Sequence, residues 1–240
     1  MIIKKYWDKV NIKYERIWKK TKASQILSKK EVSLIRNYLS SNNPSSILDI
    51  GIGTGRILEV LLNYSNKNVN ITGIDISSKM VDICNKKFKT KKKKLKVFKT
   101  DIESNTKTFK NTSYDFITAI RLIQYVTNWD LFIQKIYNLL KEEGIFIFSV
   151  PNKYSINYFF RSPIPIIKTH PTEIISLLKR KNFSILDIIS YSKLPDILYF
   201  NKLASNRIYI QILLFCESIL SAIFGKVLFG RVLFIVVKKK

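Results

Sequence analysis

Short runs rich in β-branched and aromatic residues recur along the chain from residue 46 onward, and segments with helical spacing of apolar positions lie between most of them. Alternation of this kind is typical of βαβ units, in which helices connect parallel strands and pack on the sheet. In chain order the runs are SSILDI, VNITGID, LKVFKTD, YDFITAI, GIFIFSV, FSILDIISY and RVLFIVVK. The pattern therefore predicts an α/β fold with about seven strands.

Apolar residues three and four positions apart predict the helices. Between the strands they cover residues 56–63, 78–89, 129–141, 171–181 and 207–224. Two lysine-rich amphipathic segments, residues 6–20 and 29–40, precede the first strand. We expect residues 1–45 to form a helical cap and residues 46–240 the main domain, within one folding unit. Residues 151–169 fit neither period and predict a long loop, which is more often functional or mobile than merely connective.

The charge of the chain changes the range of functions to consider. The 240 residues include 42 Lys and Arg against 17 Asp and Glu, a formal net charge of +25. Such an excess is typical of proteins that bind nucleic acid or anionic membranes. Most of the basic residues are lysine in a sequence also rich in Asn and Ile, which instead indicates compositional drift, because phosphate recognition tends to use arginine forks. Both interpretations stay open at this point.

The cysteine and histidine content excludes two kinds of site. Cys84 and Cys216 form no CxxC pattern, and His170 is the one histidine, so neither a disulfide framework nor a Cys/His zinc site is expected. The first 20 residues carry charges every few positions and do not resemble a secretory signal. We therefore expect no metal and a reducing cytoplasmic environment.

The strongest local signal is ILDIGIGTGR at residues 47–56, a buried strand that runs into a glycine-rich turn and then a helix. Glycines let the main chain turn sharply and approach a ligand, and the helix that follows offers its positive N-terminal end. The GxGxxG fingerprint fails because Arg56 and Leu58 stand where a third glycine is needed, and no Walker A lysine follows. In the remaining pattern, DxGxGxG, Asp49 favours a cationic ligand over a pyrophosphate.

Acidic residues end three of the predicted strands, at Asp49, Asp75 and Asp101. The carboxyl ends of parallel strands meet at one edge of the sheet, where ligands bind at the topological switch point. Asp75 lies where an acid accepts ribose hydroxyls, and Asp101 or the adjacent Ile102 amide could meet an adenine edge. Each acid alone is also explained as a turn or N-cap residue. The three together favour a nucleoside site.

These segments together resemble the class I S-adenosylmethionine-dependent methyltransferases over almost the whole chain. The glycine turn is similar to the first motif of that family, residues 71–80 to the second and residues 99–104 to the third. Residues 114–128 resemble the fourth-strand segment, and residues 139–152 the run into strand five. The resemblance implies a Rossmann-like, mostly parallel sheet of order 3-2-1-4-5-7-6 with the last strand antiparallel, helices on both faces, and S-adenosylmethionine as cofactor.

The resemblance also implies roles for individual residues around the glycine turn. Gly51 and Gly53 would line the methionine moiety, with Asp49 just before them. Asp75 would hold the ribose, with Ile76 beside it. This part of the predicted site comes from the first two motifs, which are specific when they occur together.

Further along the chain, Asp101 and Ile102 would contact the adenine, and Ile120 with Arg121 would form the floor of the cofactor site. Tyr14 matches an aromatic residue of the N-terminal helix that often reaches the cofactor in the family. All of these assignments are implied by the resemblance, residue by residue.

The similarity is greatest to the O-methyltransferases of small molecules and lipid quinones, with two departures. Gln124 and Tyr125 stand where many members carry an acid and a histidine, and Arg121 replaces a common acidic residue. Residues 119–122 lack the [DN]PP[YF] segment that holds an amino group, so a hydroxyl, carboxyl or carbon acceptor fits better. The candidate catalytic residues are Tyr125 and His170, although His170 is also explained as a helix-boundary residue before Pro171.

We therefore expect methyl transfer to a small-molecule or lipid-linked acceptor, with O-methylation favoured. A tRNA or rRNA methyltransferase attracted by charge is the alternative, and a non-catalytic S-adenosylmethionine-binding protein is the third. The apolar segment 207–224, with Glu217 near its centre, allows core packing, membrane-surface contact or a span. The expected location is the cytoplasm, with peripheral contact at the inner membrane surface through residues 207–224 as an option.

Overall fold

A computed structural model describes residues 6, 20–65, 68–91, 94–104, 109, 112–159, 169–225 and 229–240. The helices are α1 (Lys22–Asn42), α2 (Arg56–Tyr64), α3 (Ser78–Lys87), α4 (Trp129–Leu139), α5 (Pro171–Arg180), α6 (Asp196–Phe200) and α7 (Arg207–Phe224). The strands are β1 (Ser46–Ile50), β2 (Asn70–Asp75), β3 (Leu95–Lys99), β4 (Tyr114–Ala119), β5 (Leu140–Pro151), β6 (Phe183–Tyr191) and β7 (Val232–Lys239).

The strands form a single seven-stranded sheet of order β3-β2-β1-β4-β5-β7-β6. The pairs from β3 to β5 are parallel, and β7 is antiparallel to both β5 and β6. The predicted fold class, strand order and antiparallel last strand are thus confirmed. The order reverses between β1 and β4, so a crevice is expected at the carboxyl ends of these strands.

Apolar side chains cover both faces of the sheet. Neighbouring residues of a strand point to opposite faces, and Leu48 belongs to one buried cluster while Ile47 belongs to another. The same division separates Phe146 from Ile147 on β5. The central strands are therefore buried on both sides, as their nearly continuous apolar runs predict.

The first helix is longer than the sequence pattern predicted. The prediction covered residues 29–40, whereas α1 begins at Lys22, because the Thr21 hydroxyl accepts a hydrogen bond from the Ser24 amide at 3.0 Å and caps the helix. Leu34 and Ile35 join the cluster that covers one face of the sheet, so α1 shares its core with the main domain. Apart from its two end residues, the predicted helix 6–20 lies outside the described residues.

The end of the fourth helix also differs from the prediction, and one short helix was not predicted. The helix predicted over 129–141 ends at Leu139, because Leu140 already pairs with Tyr114 of β4 as the first residue of β5. The short helix α6 was missed: five residues are too few to display a helical period, although Pro195 and Asp196 form a helix-start signal.

Candidate active site

A cavity of about 280 Å³ opens at the carboxyl ends of β1, β2 and β4, where the strand order reverses. Its walls come from the glycine turn after β1, the segments after β2 and β3, and residues 120–127 after β4. The predicted residues that line it are Gly51, Gly53, Asp75, Ile76, Asp101, Ile102, Ile120, Arg121 and Tyr125. The expected crevice therefore brings together residues that are up to 74 positions apart (125 − 51) in the sequence.

The glycine turn uses a backbone conformation that L-residues rarely adopt. Gly51, Gly53 and Gly55 have φ angles of +75°, +52° and +84°. A Cβ at Gly53 would meet no atom within 4 Å, whereas one at Gly55 would lie 2.5 Å from the Phe88 ring. The two positions therefore need glycine for different reasons: Gly53 leaves room in the cavity, and Gly55 allows the turn to pack on α3.

Asp75 connects the end of β2 to the glycine turn. Its Oδ2 accepts a hydrogen bond from the Gly53 amide at 2.9 Å, and its Oδ1 accepts one from the Ser77 amide, also at 2.9 Å. These bonds fix the carboxylate against the cavity wall, where it is 9% exposed. The role of Asp75 in holding a ribose stays a prediction. The backbone amides of Gly53 and Ser77 fix the position of its carboxylate.

Asp49 lies beneath the turn and is 1% exposed. Asp49 is not among the described residues that line the cavity. Its Oδ1 instead accepts a hydrogen bond at 2.7 Å from the hydroxyl of Thr118, its register partner on β4. Burial raises the pKa of Asp49 to about 7, since the bond from Thr118 only partly opposes it. Asp49 therefore lies behind the turn, and its assignment to the cofactor site stays a prediction.

The segment after β3 closes another side of the cavity. Asp101 Oδ1 accepts a hydrogen bond from the Glu103 amide at 2.9 Å, which shapes the turn there. Glu103 Oε1 accepts bonds from the Thr127 amide at 3.0 Å and the Thr127 hydroxyl at 2.6 Å. Lys135 on α4 donates to the Ile102 carbonyl at 2.6 Å. The predicted adenine segment is therefore attached to the β4–α4 connection, an attachment that the sequence did not reveal.

A buried carboxylate on α1 joins two arginines of the cavity wall. Glu31 accepts from Arg56 at 2.9 Å and forms a short bond with Arg121. Burial acts to raise the pKa of Glu31, but the two guanidinium groups outweigh it and hold the pKa below its usual value. Arg121 has a left-handed φ of +60°, and its amide donates to the Ser149 hydroxyl at 2.7 Å. We call the side chains of Glu31, Arg56 and Arg121 the Glu31 bridge.

The Glu31 bridge was missed by sequence reasoning. A usable signal existed: Glu31 lies on the apolar stripe of α1, between Leu27 and Leu34, where an acid needs a partner when buried. The pattern could not identify that partner, because Arg56 and Arg121 are 25 and 90 positions away.

The two predicted catalytic residues occupy different environments. Tyr125 lines the cavity, whereas His170, among the described residues, does not. His170 precedes α5, and its ring centroid lies 5.0 Å from that of Tyr154. Its amide donates to Glu173 Oε2 at 3.2 Å, as expected for a helix-boundary residue. Both catalytic roles stay predictions, and Tyr14 lies outside the described residues.

Comparison with known proteins agrees with this geometry. The profile of a family described as a methyltransferase domain matches residues 48–148. An uncharacterised protein from Methanocaldococcus jannaschii is 29% identical over 198 residues, which cover 81% of this chain and 68% of that protein. A ubiquinone/menaquinone biosynthesis C-methyltransferase from Wigglesworthia glossinidia brevipalpis is 32% identical over 108 residues, 45% of this chain. The latter match spans 43% of that enzyme, less than half of its length.

Solved structures share the fold. An S-adenosylmethionine-dependent methyltransferase from Clostridium acetobutylicum has a TM-score of 0.64 at 18% identity, over 95% of this chain and 98% of that one. An O-methyltransferase from a polyketide synthase of Brevibacillus brevis, in complex with S-adenosyl-L-homocysteine, has a TM-score of 0.61 at 19% identity, over 89% and 74% of the two chains. At these sequence identities the similarity shows a shared fold.

The cavity also fits the cofactor of that family. S-adenosylmethionine carries a cationic sulfonium and an ammonium group, and carboxylates of Asp75, Asp101 and Glu103 line the cavity. Gly53 leaves open the space that a side chain would fill. The profile match shows a methyltransferase domain at residues 48–148, and with the sheet order and the glycine turn it identifies S-adenosylmethionine as the cofactor of a class I methyltransferase fold.

Proposed function

We propose that this protein transfers a methyl group from S-adenosylmethionine to a hydroxyl group of a small-molecule or lipid-linked acceptor. The observation that carries the proposal is the mixed lining of the cavity. The carboxylates of Asp75 and Asp101 and the glycine turn line it together with the apolar side chains of Leu122 and Val126 and the phenol of Tyr125. The carboxylates suit a cationic nucleoside, and the apolar side chains and the phenol suit an acceptor with apolar surface and a hydroxyl group.

Methyl transfer requires little of the protein beyond alignment of the methyl donor and the acceptor. When bound, S-adenosylmethionine supplies a methyl group on a sulfonium, which is already reactive toward nucleophiles. The protein contributes by holding the acceptor close and in line, and by receiving its proton where one is lost. Tyr125 lies in the cavity wall where it could position an acceptor hydroxyl. Because residues 119–122 read Ala-Ile-Arg-Leu, the pattern that holds amino groups is missing, which favours oxygen over an exocyclic amine.

The distribution of charge favours a small acceptor over RNA. Several lysines near the amino ends of the strands, opposite the cavity, are paired with acids: Lys141 with Asp115 at 2.8 Å and Lys239 with Glu142 at 3.0 Å. At the cavity, Glu31 binds the guanidinium groups of Arg56 and Arg121. These ion pairs lower the positive charge available to a phosphate backbone, which supports a small acceptor over RNA.

Cofactor binding provides the first test. Asp75→Ala should weaken S-adenosylmethionine binding, measured by calorimetry, by roughly 2 to 4 kcal/mol, because hydrogen bonds to a charged acceptor are lost and water compensates only partly. Asp82→Ala, which removes an exposed acid from α3, is the matched control and should leave affinity unchanged. An Asp75→Ala variant within about threefold of the parent protein would rule out this carboxylate as a ribose ligand.

Turnover provides the second test. Release of S-adenosylhomocysteine should occur with a lipid and metabolite extract and not with total RNA. Since Tyr125 lines the cavity and His170 does not, we expect Tyr125→Phe to lower kcat by at least about tenfold and His170→Gln by less than about threefold. Turnover on RNA would favour the alternative function. Tight cofactor binding without turnover on any extract would favour a non-catalytic protein.

A further inference from the structure

The outer side of α7 is apolar and exposed along the whole helix. Its residues recur at spacings of four, three, four and four positions, so they lie on one side of a helix with about 3.6 residues per turn. They are 42% to 67% exposed and comprise Ile208, Ile212, Phe215, Ile219 and Ile223, which we call the α7 outer face. A surface helix usually presents charged residues to water, and a contiguous exposed apolar patch indicates an interaction site.

The opposite side of α7 is fixed to the rest of the protein. Ile210 and Leu213 pack in a buried cluster with Ala23 and Leu27 of α1. Glu217 is 9% exposed, and its Oε1 accepts hydrogen bonds from the amides of residues 193 and 194, at 2.6 Å and 3.0 Å, and from the hydroxyl of Tyr199. The carboxylate near the centre of the helix is therefore held by the protein. These contacts determine which side of α7 faces outward.

This attachment distinguishes lying on a membrane from crossing it. Within the described part of the chain, α7 is the one helix long and apolar enough to span a bilayer, judged by length and composition. A spanning helix would have to be surrounded by lipid or by other helices, and Glu217 would lose its three donors or carry them into the hydrocarbon. A helix with one apolar side free and the other docked suits the plane of the interface.

Positive charge lies beside the α7 outer face. Lys22, Lys202 and Arg207 are exposed near the start of the helix, and the Lys22 amide donates to Ser205 at 3.4 Å. In the sequence, the 20 residues that precede this part of the chain carry seven Lys and Arg against two acids. The exposed positions of α7 carry no acid, since its one acidic residue is Glu217.

The sign of this charge decides between the candidate partners. A second copy of the chain would bring together two bodies with a formal charge of +25 each, which repel. An anionic lipid surface attracts the same residues, and each nearby Lys or Arg adds to binding. We propose that the α7 outer face docks this protein on an anionic membrane, with its isoleucine and phenylalanine side chains inserted at the boundary between head groups and acyl chains.

Docking in this orientation has a consequence for the cavity. α1 shares a buried cluster with α7 through Ala23 and Leu27, and about one turn after Leu27 the same helix carries Glu31, which binds two arginines that line the cavity. The helix that shares a core with α7 therefore also contacts the cavity wall. That the surface would also bring a lipid-linked acceptor near the cavity rests on the proposed function, whereas docking itself does not.

Vesicle flotation tests the proposal. The protein should float with phosphatidylcholine vesicles that contain phosphatidylglycerol, at least about tenfold more than with phosphatidylcholine alone, and added salt should reduce binding. The double variant Ile212→Asp/Phe215→Asp should bind at least about tenfold more weakly, because apolar area is lost from the inserted face. The matched control Leu131→Asp/Leu186→Asp adds the same charge at exposed leucines on α4 and β6 and should float within about twofold of the parent protein.

The controls keep the result interpretable. Both double variants alter exposed residues, so each should retain the circular dichroism and the S-adenosylmethionine affinity of the parent protein. Absence of flotation by the parent protein, or equal loss in the control variant, would overturn the proposal. So would a stable dimer that fails to float and that the α7 variant dissociates, since a second copy would then cover the face. Failure of the Asp75→Ala test with flotation intact would refute the proposed function alone.

Discussion

The glycine turn and α7 contrast in what they hide from water and what they expose to it. Around the turn, the carboxyl groups of Asp49, Asp75 and Glu31 are buried beneath or within the cavity wall. On α7, residues such as Ile208 and Phe215 are about two-thirds exposed. Globular proteins usually do the reverse, burying apolar groups and exposing charged ones. Burying a carboxyl group costs stability unless it has partners, and a contiguous exposed apolar face is typical of an interaction site.

The two regions differ in whether their unusual groups have partners within the protein. At the turn, backbone amides, Thr118 and two guanidinium groups bind the buried carboxyl groups, and of the described atoms in these carboxyl groups only Asp49 Oδ2 has no hydrogen-bond partner. On the α7 outer face, the described residues include no covering element, so a partner would have to cover it. Substitutions at the turn should therefore change the stability of the isolated protein, whereas substitutions on α7 should not.

The largest expected effect is at the Glu31 bridge. Glu31→Ala should lower the free energy of unfolding by about 3 to 5 kcal/mol, because removing one member of a buried ion pair leaves its partners uncompensated. Urea denaturation measures this loss. Glu59→Ala removes the exposed partner of Lys87 and should cost less than about 1 kcal/mol. Equal losses in the two variants would mean that the bridge adds nothing beyond a surface pair.

The pH dependence of the same bridge has a defined sign. The pKa of Glu31 is lower in the folded protein than in the unfolded chain, so its contribution is present above the unfolded value of about 4.5. It should be lost as the pH falls through the lower folded value. The Glu31→Ala penalty should therefore shrink in acid, and a penalty that stays constant down to acid unfolding would contradict the ionised bridge.

Asp49 should change the pH dependence of stability with the opposite sign to Glu31. Its pKa rises from 3.8 to about 7 on folding, so between these values the folded state binds more protons than the unfolded state. Its contribution to stability should fall as the pH rises through this window, by up to about 4 kcal/mol at about 1.4 kcal/mol per pKa unit, and then stay level. Asp49→Asn should remove this decline. Denaturation at acidic and alkaline pH measures it, and parallel profiles for the two proteins would refute it.

Substitutions at two glycines of the turn should affect different properties, with Gly55 important for stability and Gly53 for ligand binding. Gly55→Ala should cost about 2 to 4 kcal/mol of stability, since a left-handed side chain is strained by about 1 to 2 kcal/mol and its Cβ would collide with Phe88. Gly53→Ala should cost only the strain, and Gly53→Val should abolish S-adenosylmethionine binding while unfolding stays cooperative. Unchanged affinity in Gly53→Val would remove this turn from the cofactor site.

The features that could be predicted from the sequence are those that recur along the chain or whose residues are close in sequence. The seven apolar runs, the glycine turn and the acids at strand ends Asp75 and Asp101 each carry a local signal, and the structure brings them to one edge of the sheet. The Glu31 bridge joins distant positions, so the pattern indicates only that a buried acid needs a partner. For Asp49, the spacing predicts a strand end but not the neighbour, Thr118, whose hydroxyl donates a hydrogen bond to its side chain.

For α7, the sequence left three interpretations because the helix is apolar on more than one side. Leu213 and Phe215 are both strongly apolar and two positions apart, yet Leu213 is 5% exposed and Phe215 66%. Periodicity could not assign the inner side, since Glu217 as an acid would be expected to point outward. The contacts of Glu217 with the β6–α6 connection decide the question, and no local pattern contains them.

The smallest expected effect is at the α7 outer face. Phe215→Ser should change the free energy of unfolding by no more than about 0.5 kcal/mol, because its side chain contributes little buried area to the isolated protein. Leu213→Ser, two positions away and facing inward, should cost about 2 kcal/mol or more, since a buried apolar group is replaced by a small polar one. Urea denaturation of the two variants side by side measures the difference. A Phe215→Ser penalty as large as that of Leu213→Ser would mean that this face is already covered within the chain, and the contrast with the glycine turn would fail. A near-zero penalty, combined with loss of vesicle binding, would show that the exposed phenylalanine acts only when a lipid surface is present.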